Sequence, residues 1–319
     1  MLPRPGSAAN TSARRRLGPL FALALLAGCS SDARDAGTKP DARALGPNAW
    51  KHLQTLVALG PRPPGSPALE KTRVYLETEL ARAGFHPERE PFEARTPVGV
   101  FQLANVRADL PARTASAPRV ILATHFDTKL GLDGFVGAND GGSGTALLLE
   151  LARVLADGGP RDVALRFLFL DGEEATRAQW EGEDNCYGSR HHARELVRSG
   201  AAANVRAFVL LDMIGDKDLA LVDETWSDRR LKELFRAAAK RAGRPQIFAG
   251  RSEAIEDDHG PFLDADIPSI DLIDFSYGPN HAWWHTREDT LDKCSEQSLA
   301  DVGLLVLAAL PALEHEFAR

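Results

Sequence analysis

The chain has 319 residues, 44% apolar and 26% charged, enough hydrophobic material for a sizeable core and not the composition of a wholly disordered protein. Its formal net charge of −7 comes from acids scattered or paired at turns, which leaves no basic stripe for nucleic acid and suits neutral or cationic substrates. The three cysteines, Cys29, Cys186 and Cys294, are too few for a disulfide framework and lack metal-type spacing.

The first feature in chain order is an export signal. Arg14-Arg15-Arg16 precede the apolar stretch Leu17 to Leu26, which runs into the small residues Ala27-Gly28 before Cys29. The apolar core is far short of the roughly 20 residues that span a bilayer. Leu26-Ala27-Gly28-Cys29 resembles a lipobox, whose cysteine is acylated and becomes the mature N-terminus. Residues 1–28 are therefore expected to be a signal peptide of the lipoprotein type, and 29–47 a flexible tether without apolar periodicity. Residues 48–319 form a single domain. The protein is expected to be exported to the cell envelope, at the outer membrane or periplasmic face, or else secreted; its only hold on a membrane is lipid on Cys29.

Two amphipathic helices open the domain. Trp50, Leu53, Leu56 and Val57 share one face, and a second run from Leu69 to Ala83 stops at Gly84, with Pro61–Gly65 as the loop between them. Phe85 to Phe92 and Val100 to Val106 read as strands, and Pro111 to Pro118 as a turn-rich connection. Four short apolar runs follow: Arg119 to Thr124, Val163 to Leu170, Val205 to Leu211 and Pro268 to Ile273. Such runs mark strands buried on both faces. Helical stretches alternate with them, at Gly144 to Leu155, Tyr187 to Arg198, Leu231 to Arg241 and Gln297 to Phe317, with His191 and His192 in the second read as helix-surface residues rather than ligands. The expected fold is α/β, a mostly parallel central sheet with helices on both faces.

Ligands of open α/β sheets bind beyond the carboxyl ends of the strands, and five polar clusters lie there: His125–Lys129, Gly137–Gly144, Asp171–Ala175, Asp212 and Trp284–Thr286. Each alone has an ordinary reading, as a turn and helix start, as acids favoured near a helix N-terminus, as a strand-end turn, or as core aromatics. Together they supply Asp, Glu and His from separate strand ends, the donor set of a catalytic zinc site with three protein ligands and an open fourth position. Adjacent Glu173 and Glu174 allow one to hold metal while its neighbour handles a proton.

At these residues the chain resembles the zinc aminopeptidase-like clan, and within it the glutaminyl-peptide cyclotransferases. The resemblance rests on His125-Phe-Asp-Thr-Lys129, Asp171-Gly-Glu-Glu-Ala175, Trp180, Tyr187-Gly-Ser-Arg-His191, Leu211-Asp-Met-Ile-Gly215, Glu256-Asp-Asp-His259 and Trp284-His-Thr286, and covers most of residues 48–319. It implies one zinc per chain held by Asp140, Glu174 and His285, with Glu173 as general acid/base. Asp257 and Asp212 would hydrogen-bond around it, and Trp180, Trp284, Lys129, His259 and His125 would belong to the substrate pocket. The implied substrate is a peptide or protein with N-terminal glutamine, converted to pyroglutamate with loss of ammonia; the protein itself is expected to be a monomer. A dinuclear zinc aminopeptidase, with His125 and Asp212 as further ligands, is the competing enzyme; a non-catalytic interaction module on the same scaffold is the non-enzymatic alternative.

Overall fold

Val120 and Leu122 of the central strand point into one hydrophobic core, Ile121 and Ala123 into a second on the opposite side. This alternation with both faces buried is what a continuous apolar run encodes. The computed structural model describes residues 44–317, so the signal segment, Cys29 and nearly all of the 29–47 stretch lie outside the described residues.

The helices are α1 (Leu45–Leu59), α2 (Pro67–Arg82), α3 (Gly142–Ala156), α4 (Tyr187–Arg198), α5 (Arg229–Arg241), α6 (Gly260–Asp264) and α7 (Glu296–Phe317). The strands are β1 (Glu88–Thr96), β2 (Gly99–Leu110), β3 (Arg119–His125), β4 (Ala164–Leu170), β5 (Val205–Asp212), β6 (Asp223–Glu224), β7 (Ser252–Glu253) and β8 (Ser269–Ile273). Six strands make the main sheet in the order β1-β2-β4-β3-β5-β8. β4, β3, β5 and β8 are parallel, and the β1–β2 hairpin adds to β4 antiparallel. β6 and β7 form a separate parallel pair. Five helices, α1, α2, α3, α5 and α7, supply the larger core, while α4 and α6 cover the other face.

Three expectations shift. Helix α1 starts at Leu45, with Leu45 and Gly46 buried, so the domain takes in the end of the segment expected as tether. Strand β1 begins at Glu88 rather than Phe85, because Phe85 turns in after Gly84 to meet the Phe167 ring edge-on at 5.4 Å. His192, which a helix-surface reading of α4 would expose, is buried. Its Nδ1 donates to the Glu90 carboxylate at 2.7 Å, and its Nε2 lies 3.3 Å from Arg166. Cys186 and Cys294 are both buried and unpaired.

The order of the strands fixes the site. From central β3 the chain goes to β4 on one side, then crosses to β5 on the other, so the ends of β3 and β5 flank the point where winding reverses. Helix α3 comes close to both. A Cβ on Gly144 would sit 2.2 Å from the Leu211 carbonyl and 2.3 Å from Thr124 Oγ1, so only glycine lets the helix start so near the strand ends.

Candidate active site

His125 is the last residue of β3 and Asp212 the last of β5, and the two meet across the gap with Nε2 3.1 Å from Oδ1. Asp140, on the turn into α3, places Oδ1 3.3 Å from the same His125 nitrogen. Its other oxygen lies 3.5 Å from His285 Nε2, which is itself 3.1 Å from Glu174 Oε2. Asp140 thus stands between two clusters, His125–Asp140–Asp212 and Asp140–Glu174–His285, each with ligand atoms mutually within 4.8 Å.

The backbone around these side chains is held by residues with no ligand role. Asp127 accepts from the N–H groups of Glu173 (3.1 Å) and Glu174 (3.3 Å), fixing the Glu-Glu pair relative to the end of β3. Asp171 opens the same loop and is clamped by Arg73 of α2 and the Ala104 N–H. Asp289 accepts from the N–H groups of Asn139 (2.7 Å) and Asp140 (3.1 Å) and from the Tyr277 hydroxyl (2.6 Å). Arg62, wholly buried, donates to the carbonyls of Phe126 (2.8 Å), Val136 (2.7 Å) and Gly137 (3.0 Å). Burial lowers its pKa to about 10, against the opposing pull of Asp127, Asp289 and Asp140. Arg62 and Asp289 carry no sequence signature of these tasks. Asp127 belongs to the His-x-Asp element, which is as much signal as the sequence offers.

His285 has φ 51°, a left-handed conformation that costs a non-glycine residue about 1–3 kcal/mol. Its imidazole is stacked on Trp284, with centroids 4.0 Å apart, and Thr286 Oγ1 bonds the Trp283 carbonyl at 2.9 Å. The strain is thus held by packing on both sides.

A cavity of about 140 Å³ opens above this floor. Asp140, Glu173, Trp180, Asp212, Asp257, Trp284 and His285 line it, joined by Met213, Ile255, Ile273 and Phe275, which nothing in the sequence singled out. Lys129, His125 and His259, expected in the pocket, are not in its wall. Lys129 is buried behind Glu174, its Nζ donating to the Ala175 carbonyl at 3.2 Å, and His125 lies beneath the acids. His259 is buried under α6 with Nε2 3.3 Å from Glu224.

So many acids in a buried space shift one another. Burial is the largest influence on Glu173 and pushes its pKa well up; Glu174, Asp257 and Asp258 reinforce it and His125 opposes. Asp257 is raised by burial and then by Asp212 and Asp258. On His125 and His285 burial acts downward, but the surrounding carboxylates outweigh it and both are raised. Asp140 Oδ2 and Glu174 Oε1 are buried without a hydrogen-bond donor, and Glu174 Oε2 has only His285 Nε2 at 3.1 Å and Lys129 Nζ at 3.6 Å beside it, a costly state for anionic oxygens. Two such carboxylates and an imidazole facing one point fit a divalent cation, and the O/O/N donor set suits zinc.

Residues 105–310 match peptidase family M28. The chain belongs to that family. Within the M28 family it is 35% identical to the mouse glutaminyl-peptide cyclotransferase-like protein over 260 residues, 72% of this chain and 66% of the relative, so it spans just under two thirds of that protein's length. Identity to the glutaminyl-peptide cyclotransferase of Bothrops jararaca is 30% over 282 residues, 76% of this chain and 75% of the relative. The crystal structure of an Acidobacteriales bacterium glutaminyl cyclase superposes with a TM-score of 0.82 at 34% identity, covering 89% of this M28 chain and 98% of that one. These matches place the chain in the glutaminyl cyclase branch of M28.

Proposed function

We propose that the protein is a zinc-dependent glutaminyl-peptide cyclotransferase, converting the N-terminal glutamine of peptides to pyroglutamate and ammonia. The observation that carries this reading is the size of the cavity over the Asp140–Glu174–His285 cluster. At about 140 Å³ it is well below the ~300–1,000 Å³ of ordinary ligand pockets, so it suits one folded-back side chain better than a stretch of peptide.

Asp140, Glu174 and His285 would hold the zinc. Bound there, zinc supplies Lewis acidity to the carboxamide oxygen of the substrate glutamine. The chain's own residues do the rest. Glu173, in the cavity wall, takes a proton from the substrate's α-amine as its nitrogen bonds to the carboxamide carbon, and returns a proton to the nitrogen that leaves as ammonia. Trp180, Trp284 and Phe275 hold the side chain curled toward its own amine and keep water out, so intramolecular attack is favoured by proximity. Asp257 and Asp212 sit at the same wall and hold the reacting groups by hydrogen bonds.

One observation favours a dinuclear aminopeptidase, the second cluster at His125, Asp140 and Asp212. Against it, His125 and Asp212 satisfy each other directly at 3.1 Å, and one zinc per chain is the reading adopted. Incubation with a glutamine-initiated peptide decides the matter by mass: loss of ammonia with one zinc per chain supports the cyclase, whereas release of free amino acids with two zincs replaces it by the peptidase. We also propose that the protein acts as a lipoprotein of the cell envelope, supported by the Arg14–Arg16, Leu17–Leu26 and Ala27-Gly28-Cys29 sequence.

A further inference from the structure

Beside the small cavity lies a larger groove of about 490 Å³, on the side of α6. The two share Glu256 and Asp257 in their walls, so they adjoin at that segment. Beyond it the groove is bounded by Trp226, Leu263, Pro261, Asp264 and Arg190. Trp226 is 51% exposed, a large ring left in solvent with no role in the core.

A peptide whose first residue occupies the cavity and whose chain runs on across the shared Glu256–Asp257 wall advances ~3.3–3.6 Å per residue when extended. Its next one or two residues therefore arrive in this groove. The chemistry that awaits them is an exposed indole and the carboxylates of Glu256 and Asp264, all lining one groove. Asp264 is exposed and makes no ion pair among the described residues. Glu256 accepts from Asn185 at 3.1 Å and lies 3.9 Å from Arg190. The Arg190 guanidinium is directed to Asn185, donating to its side-chain oxygen at 2.8 Å and its carbonyl at 3.2 Å. An indole face with flanking acids attracts a cation.

We propose that this groove binds the second and third residues of the substrate, and that Trp226 with Glu256 and Asp264 makes it select a lysine or arginine side chain there. Asp264 and Arg190 also border the adjoining cleft, where α4 turns the surface basic at Arg194 and Arg198, so the preference is confined to those positions. The proposal rests on the cyclase reading and deepens it by naming the substrate class.

The test compares ammonia release from glutaminamide, which ends at the cavity, with release from glutaminyl dipeptide and tripeptide amides carrying Lys, Arg or Glu at the second or third position. The wild-type protein is expected to favour the cationic over the acidic peptides about five-fold in kcat/KM, mainly through KM. Trp226→Ala combined with Asp264→Asn should bring that ratio close to one while leaving glutaminamide turnover unchanged, and Trp226→Phe should retain most of it. Equal turnover of all the peptides by the wild type, or a ratio that survives the double substitution, would overturn the groove assignment while ammonia release from glutaminamide still stood. If glutaminamide itself yields no ammonia, the cyclase reading fails and the groove proposal falls with it.

Discussion

Replacing Arg62 by methionine is expected to remove much of the protein's stability and to loosen the proposed metal site. The side chain is wholly buried and serves three carbonyls, those of Phe126, Val136 and Gly137, at 2.7–3.0 Å. A buried carbonyl left without its donor costs ~1–3 kcal/mol, so the two fully buried ones, of Phe126 and Gly137, give roughly 2–6 kcal/mol and the partly buried Val136 adds less, a large share of the ~5–15 kcal/mol that holds a whole domain together. Loss of the cation acts in the same direction, because it faces Asp127, Asp140 and Asp289. Arg62→Lys keeps the charge but not the planar fork, and about half the loss is expected. Urea denaturation measures it as a fall in midpoint with the slope unchanged. Competition with a chromogenic chelator should show weaker zinc retention in the folded lysine variant, since Gly137 is on the turn that carries Asp140. If the methionine variant unfolded within ~0.5 kcal/mol of wild type, the range of an ordinary surface change, the claim that Arg62 ties these strand ends together would be wrong.

Glu173→Gln should keep its zinc and lose about 10²–10⁴-fold in kcat, whereas Glu174→Gln should bind zinc more weakly; metal analysis after dialysis, beside initial rates, separates the two, and a reversed pattern would exchange their roles. Stability should decline on acidification. Burial lowers the pKa of His192 from 6.5 despite Glu90, so the folded state binds fewer protons than the unfolded one and loses stability as pH falls below about 6.5. Burial acts upward on Glu90, but its hydrogen bond from His192 outweighs that and holds it at about 2, so a further loss follows between 4.5 and about 2. Glu90→Gln should flatten that lower limb in thermal melts across pH, and an unchanged limb would remove Glu90 as its cause. Cys29→Ala is expected to shift the protein from membrane to soluble fractions; a mature N-terminus other than Cys29, without acyl mass, would exclude the lipid anchor.

Most of the sheet was legible because its central strands are buried on both sides and so written as unbroken apolar runs. The edge hairpin was less so. Glu88–Thr96 reads Glu-Arg-Glu-Pro-Phe-Glu-Ala-Arg-Thr and buries only Ala94, leaving no alternation strong enough to place its ends. Within the site, the strand-end acids and His285 stood out as chemistry that a turn does not need. Their supports did not, since an arginine in a Pro-Arg-Pro-Pro-Gly loop looks like any solvated loop residue until the fold closes over it. His259 failed in the opposite sense: its neighbours Glu256 and Asp257 face a cavity, but the start of α6 turns the histidine inward toward Glu224.

The hydrogen bonds from Asn139 and Asp140 to Asp289 cross 150 and 149 residues of sequence, and contacts of such long range form slowly because so much chain has to be closed into a loop first. His285 lies only four residues before Asp289. A nascent chain that has not yet delivered this segment lacks one proposed zinc ligand, His285, and also the clamp on the backbone of another, Asp140. If the proposed zinc is bound, its loading would follow docking of this segment, and chelation should be felt first at the junction of these two distant stretches.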